Sequence, residues 1–390
     1  MREGAPRMAD AQVYITRTGA FLPNAPVGND AMERILGQVG TRPSRARRAV
    51  LRSNGILSRH YAIDPVTLLL NDTNAGMTAK AVRSLVPTGS ALPPIGCLAC
   101  GTSIADQLMP GHGVMVQGEL GLPACEVVST AGVCVAGMTA LKYAYMAVAS
   151  GQHRAAVATG SELSSASMKA DAFTPEIEAK VDSLEQHPEL AFEKDFLRWM
   201  LSDGAGAVLL ESSRRATGVS LRVDWLDVLS YAGEMETCMY AGAVKQADGR
   251  LKGWQHFSAD AIRGASVMAV MQDVKLLHEE VVRHTVEKPL VELTARRGLR
   301  AEDVDYFLPH YSSLYFRDKL HAGMRTAGLE IPLSRWFTTI ETCGNAGSAS
   351  IYIMLDALFR SGRIVGGQRV LCFVPESGRF SSAFLHLTAV

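Results

Sequence analysis

The chain has no excess of charge of either sign. Lys and Arg total 39, Asp and Glu total 39, and the formal net charge over 390 residues is +0. No overall field is expected to draw nucleic acid or a membrane, so any charged partner must be read by a local patch. Long apolar runs are also missing, since Gly, Lys or Asp interrupts each stretch before the ~18 residues a membrane span requires. Met1–Asp10 is polar, broken by Gly and Pro, and has no apolar core of the kind a signal peptide carries. A soluble, cytoplasmic protein is expected. The seven cysteines are odd in number and come without a secretion signal, which predicts reduced thiols rather than a disulfide framework. Cys97 and Cys100 form a Cys-x-x-Cys, but no second pair and no nearby His completes a tetrahedral set. They read as small core residues of an apolar strand, and no metal site is expected. Gly204 and Gly206 do not extend to a dinucleotide fingerprint and read as a turn, so no nucleotide cofactor is expected either.

What is present is apolar residues at 47%, enough for a large core and a two-part fold. Short apolar runs alternate with helical spacing, the pattern of an α/β protein. Strands are expected at Val13–Ile15, Ile95–Cys100, Glu126–Val128, Ala155–Gly160, Ser220–Leu226, Tyr306–Leu308, Arg369–Val374 and Ser382–Leu387, and Ser202–Leu210 reads as a Gly turn feeding a strand. The spacing Val135, Met138, Leu141, Tyr145, Val148 predicts a helix ending at Ser150–Gly151. A long amphipathic helix is expected around Ser258–Arg297, and another over Gly347–Leu358. Both halves carry strand, helix and strand in similar order, which suggests an internal duplication divided near residue 215, into 1–215 and 216–390. Met168–Trp199 is charged, broken by Pro175 and Pro188, and reads as a surface excursion.

Cys134 stands where a strand gives way to a helix. The unsatisfied N–H groups and positive dipole end at a helix start lower a thiol's pKa, and Ala131, Gly132, Ala136 and Gly137 leave room for a substrate. Taken alone it is an ordinary core cysteine as readily as a nucleophile. Two further segments change the balance. Leu308-Pro309-His310 sets a His directly after a strand, and Cys343-Gly344-Asn345-Ala346-Gly347-Ser348 sets an Asn in a Gly-flanked turn before a helix. Together they supply a nucleophile with two polar partners.

At this point the chain resembles the ketoacyl synthase III family, the FabH-like condensing enzymes of the thiolase fold. The likeness spans nearly the full length. Val13–Asn29 resembles the family's opening strand and Leu-Pro loop, and Asn54-Gly55-Ile56 with Arg59 its Thr-Gly-Ile motif. Ser202–Val208 resembles its Gly-Asp-Gly-Ala-Gly-Ala turn, and Gly344–Ser350 its Gly-Asn-Thr-Ser-Ala-Ser segment. The resemblance implies a duplicated, five-layered αβαβα fold and a homodimer, with no resident cofactor. Substrates would arrive on the phosphopantetheine of an acyl carrier protein or of coenzyme A. By motif position, Cys134 would take the acyl group while His310 and Asn345 serve the second substrate. Thiolate attack on a thioester needs N–H donors for the oxyanion. These are expected from the backbone of Cys134 and of the Ser377–Gly378 turn. A malonyl- or β-ketoacyl thioester would then supply the carbanion that attacks acyl-Cys134.

The departures narrow the expectation. Tyr311-Ser312-Ser313 replaces the initiating enzyme's Gln-Ala-Asn, Ala49 stands where a Trp would stack on adenine, and Glu376-Ser377-Gly378-Arg379 replaces a triple Gly. These features resemble the secondary-metabolism branch, in particular the ketosynthase/cyclases that make dialkylresorcinols through cyclohexanediones. Met109, Met115 and Met138 flank motifs near the expected acyl channel, and Met109 and Met138 are taken as candidate substrate contacts; plain core is the blander reading. Arg48 and Arg52, within the cluster from Arg42, are candidates for the pantetheine phosphate, beside a solvated helix face as the commoner explanation. Arg296, Arg297 and Arg300 are candidates for docking an acidic carrier on the same terms. An acyltransferase forming an ester or amide, a housekeeping initiator and an inactive partner subunit remain the alternatives.

Overall fold

The computed structural model describes residues 12–38, 45–170 and 197–390, with the side chains of residues 45, 46 and 49 excepted. Nine strands form its main sheet: β1 (Tyr14–Phe21), β2 (Cys97–Thr102), β3 (Glu126–Ala131), β4 (Ala155–Glu162), β5 (Gly204–Glu211), β6 (Leu221–Ser230), β7 (Tyr306–Pro309), β8 (Arg369–Glu376) and β9 (Ser381–Ala389). Their order is β7-β8-β9-β6-β1-β5-β4-β2-β3 among the described residues. β2 pairs in parallel with β3 and β4, β7 pairs in parallel with β8, and the remaining neighbours are antiparallel. The seam between the two sectors is short: β1 meets β6 only at Tyr14–Arg222 and Ile15–Leu221.

The layers follow from the alternation of side chains along strands that are buried on both faces. Cys97, Ala99, Val208 and Leu210 face one side and join Leu308, Val370, Cys372 and Val374 of the other sector in a central core. Two helices fill it, α1 (Ala136–Ala149) and α2 (Ser350–Arg360). The opposite faces, with Leu98, Cys100, Ala205 and Ala207 on one sector and Phe307, Leu371, Phe373 and Phe384 on the other, pack under outer helices. The result is helix, sheet, helix, sheet, helix. Cys97 and Cys100 thus lie on opposite faces of one buried strand, the geometry of packing rather than of shared ligation.

The long helix expected over Ser258–Arg297 is instead several pieces. Helices Ala259–Gly264, Val274–Val282 and Lys288–Arg297 are separated by a two-residue strand at Met271–Gln272 and a π-helical segment at Arg283–Glu287. Ser258 caps the first helix by accepting from Ala261 N–H, and Asp273 caps the second by accepting from Leu276 N–H. Two N-caps fifteen residues apart restart the chain where apolar periodicity alone reads straight through. Of the Met168–Trp199 excursion, residues 171–196 lie outside the described residues, as does Arg42.

Close backbone packing positions the site. Gly160 in β4 lies against the turn before α2, and a Cβ there would stand 2.3 Å from the Ser348 carbonyl oxygen and 2.9 Å from the Tyr352 ring. Neither the carbonyl nor the fully buried ring can swing away. Gly160→Ala is therefore expected to cost roughly 1–3 kcal/mol or more through overpacking. Thermal melting checks this, and an unchanged melting temperature would contradict it.

Candidate active site

Cys134 follows β3 by three residues and precedes α1 by two. His310 directly follows β7, its backbone N–H donating to Phe373 of β8 at 2.8 Å. Asn345 sits in the turn before α2 and is stitched to the 200–202 segment, its N–H donating to Met200 O at 3.0 Å while its carbonyl accepts from Ser202 N–H at 2.8 Å. That segment is anchored in turn by the Asn54–Arg59 motif, since Asn54 Nδ2 donates to Trp199 O at 2.9 Å. Elements far apart in sequence bring Cys134, His310 and Asn345 to the wall of one cavity of about 1030 Å³. Ser377 and Gly378 lie on the same wall. The Gly378 carbonyl accepts from the N–H groups of Cys238 and Met239, at 2.9 and 3.2 Å, which fixes the turn. Met200, Leu201, Met239, Leu277, Val281 and Phe316 give the cavity a broad apolar side.

The other expected substrate contacts are placed elsewhere. Met138 is fully buried in the central core on α1 and does not line the cavity. Met109 is 83% exposed and off the wall, and Arg48 and Arg52 are exposed on the helix Arg45–Asn54, also off the wall. Proximity in sequence to a motif did not bring these side chains to the cavity. Arg296 and Arg297 both pair with Asp227, and Arg300 with Asp303.

The electrostatics differ from what a bare helix start implies. Burial, then the charges of Glu376 and Glu162, push the Cys134 thiol well above its ordinary range. Burial drives the His310 imidazole down to about 4, so it is neutral through the physiological range. Asn345 Oδ1 accepts from Gly347 N–H at 3.0 Å, which fixes the amide orientation and leaves Nδ2 as the donor.

Two carboxyls on this wall were not singled out from the sequence as site residues. Glu162, the last residue of β4, accepts from Ser103 Oγ at 2.7 Å and from the N–H groups of Ser103 and Ser348, each at 3.1 Å. It ties the Asn345 turn to the end of β2. Burial raises its pKa from 4.5 to about 7. The sign follows directly. Below pH 4.5 the carboxyl is neutral folded and unfolded; between 4.5 and about 7 only the unfolded chain ionises, so stability falls as pH rises. The shift corresponds to roughly 3 kcal/mol. A Gln at 162 keeps an acceptor oxygen and does not titrate. Glu162→Gln is expected to gain melting temperature relative to wild type between pH 4.5 and 7.5, and a pH-independent difference would refute it. Glu376, the last residue of β8, accepts through Oε2 from Val133 N–H at 3.0 Å and Val135 N–H at 2.9 Å. Each is the lone acid of its strand and stands at the strand's end, the one signal in the sequence that marks them.

A half-buried thiol, a neutral imidazole, an oriented amide and an apolar wall thus share one cavity on a helix–sheet–helix–sheet–helix frame, that of the thiolase fold. The comparisons agree. The C-terminal family of 3-oxoacyl-[acyl-carrier-protein] synthase III matches residues 294–383, and the N-terminal domain family of β-ketoacyl synthases matches residues 115–216. The β-ketoacyl-[acyl-carrier-protein] synthase III of Roseobacter denitrificans is 28% identical over 364 residues, covering 92% of this chain and 94% of that protein. Among solved structures, the tetronic acid condensing enzyme AbyA1 superposes with a TM-score of 0.70 at 18% identity, covering 96% of this chain and 99% of that one. OleA of Xanthomonas campestris with bound lauric acid and lauroyl-CoA gives 0.70 at 18%, covering 97% and 99%. These likenesses support a FabH-like, thiolase-fold ketosynthase III family of condensing enzymes for the chain. Among the described residues no helix is long and apolar enough to cross a membrane.

Proposed function

We propose that Cys134 accepts an acyl group from a carrier- or coenzyme A-bound thioester and that a second thioester then forms a carbon–carbon bond with it. In the first half, Cys134 Sγ attacks the acyl carbonyl, the carrier thiol leaves, and the thiol proton passes to it. In the second, a malonyl thioester loses carbon dioxide, or a β-ketoacyl thioester loses its acidic α-proton, to give an enolate. Donors from His310 and Asn345 Nδ2 hold the enolate oxygen. Its carbon attacks acyl-Cys134, and the cysteine sulfur leaves and regains a proton, the one released from the β-ketoacyl α-carbon or, after decarboxylation, one from water. The observation that carries this reading is the sharing of one cavity by the thiol, the imidazole and the amide.

The cavity's size supports two substrates. At about 1030 Å³ it reaches the upper end of the range for small-molecule pockets, room enough for two acyl chains at once. The departures at Tyr311 and Glu376–Arg379 support a specialised product, a β-ketoacyl donor and ring closure to a 1,3-cyclohexanedione. The test is mass analysis of products from paired acyl and β-ketoacyl thioesters. A cyclised diketone supports the full reading, and a linear condensation product limits it to bond formation. An ester or amide product alone overturns it in favour of simple acyl transfer.

The functional unit of this reading is a homodimer of two-half chains divided near residue 215. Its support is an exposed apolar surface beside the cavity, with Leu69, Leu108 and Met109 each more than 60% exposed. Asn74 links the two loops that carry it, through Nδ2 to Ile104 O at 3.0 Å. Light scattering reads the mass, and a monomer at micromolar concentration argues against the dimer.

A further inference from the structure

Glu376 reaches across from β8 and takes, on a single oxygen, the N–H groups on either side of Cys134. The Cys134 N–H between them is not engaged by it. Those flanking N–H groups belong to the turn that leads into α1, next to the unsatisfied donors and the positive dipole end of the helix. That is the environment that ordinarily stabilises a thiolate. Here a buried carboxyl occupies it; burial raises its own pKa while the N–H groups of Val135 and Val133 oppose the rise, and its ionised form brings negative charge to the same place. A residue without a side chain at 376 would leave those donors to the sulfur.

We propose that Glu376 is a positioning residue that clamps the Cys134 turn and keeps the resting nucleophile in its protonated form. The thiol gives up its proton only as a bound thioester is attacked, so the resting enzyme reacts slowly with oxidants and stray electrophiles. The direction of the Cys134 shift, upward under burial, Glu376 and Glu162 in that order, agrees with the geometry. Of the other ionisable groups on the cavity wall, Asp106 and Glu162 are acidic and Glu162 acts in the same sense. His310 is neutral near pH 7 and supplies no cation. Arg379 also lines the wall, its Nε donating to Met235 O at 2.7 Å, and is not among the groups that act on the thiol. Arg263 lines the wall but is not among the groups that act on the thiol. Tyr240 and Tyr311 are the neighbouring phenols.

The experiment is alkylation of the full chain by iodoacetamide from pH 6 to 10, with Cys134 followed by peptide mass mapping. The reaction joins carbon to sulfur and releases iodide and the thiol proton, so its pH midpoint reports the thiol. It requires no acyl substrate, and it therefore stands or falls separately from the condensing activity. Glu376→Gln keeps an acceptor oxygen for Val133 and Val135 and removes the charge. Its midpoint is expected to fall by about one pH unit, making alkylation at pH 7.5 about tenfold faster than in wild type. Glu376→Ala removes clamp and charge together, so its midpoint is expected to fall too, with faster amide exchange at residues 133–136. A midpoint unchanged or raised in Glu376→Gln overturns the proposal. The wild type supplies a check that does not depend on a variant folding: a midpoint at or below about 8.5, the value of a free cysteine, also overturns it.

Discussion

Cys134→Ala is expected to gain no acyl mass from any thioester and to lose condensation by roughly 10⁴-fold or more, as when a covalent nucleophile is removed elsewhere. The expectation rests on what remains when the sulfur goes. His310, Asn345 and the apolar wall are intact, so substrates still enter the cavity and a malonyl thioester still meets donors for its enolate. Slow decarboxylation without bond formation should therefore survive while the acyl-enzyme disappears. The fold should barely notice, because Cys134 is half-buried and the backbone ties at Val133 and Val135 do not involve its side chain. A stability change within about 1 kcal/mol is expected. Intact-mass analysis after exposure to a panel of acyl thioesters reads the result. The other half-buried thiols, Cys125 and Cys343, supply the control. Cys343 stands two residues from Asn345, and acyl mass that persists in Cys134→Ala and maps there would transfer the nucleophile's role to it.

Much of this was readable in the chain because local signals and distant ones agreed. The strand-to-helix junction at Cys134, the Pro-His at the end of β7 and the Gly-Asn-Ala-Gly turn are each short-range features whose backbone geometry follows from their own residues. The layer arrangement was readable from alternating strands and helices, and the positions of Cys97 and Cys100 from the period of a buried strand. What could not be read depended on convergence. Glu376 lies 241 residues from Val135, and Glu162 lies 186 from Ser348; only the sheet order places them together. Burial of the thiol, and then these two carboxyls, reverse the effect expected of the helix start, a reversal invisible to any window of sequence. Met138 illustrates the complementary error. It lies four residues from Cys134, but the helical turn between them points it into the central core rather than the cavity. Arg48 and Arg52 show the same limit, since a run of cations fixes a charged helix face but not what that face looks onto.

Asn345 and His310 variants should produce the reverse of the Cys134 pattern: acyl mass retained, carbon–carbon bond lost. On the proposed mechanism each supplies one donor to the enolate, and removing one such donor costs about 10²–10³-fold in rate. The expectation for His310 is sharpened by its depressed pKa. An imidazole that protonates only near pH 4 acts through its N–H, not as a cation, so His310→Ala loses a hydrogen bond and no charge. For Asn345 the structure allows a stricter test than truncation. Oδ1 holds the Gly347 N–H, and Gly347 at φ +49 has no room for a Cβ beside Glu162, so the turn depends on that contact. Asn345→Ala loses both the contact and the donor. Asn345→Asp keeps the acceptor, and hence the turn, but puts a carboxylate oxygen where Nδ2 donated. If Nδ2 serves the developing enolate, the isosteric Asp must be worse than Ala, because like charge now opposes the transition state. Single-turnover measurement from pre-acylated enzyme isolates this half of the reaction. An Asn345→Asp variant that condenses as fast as wild type would remove the amide from the mechanism and leave His310 as the sole side-chain donor.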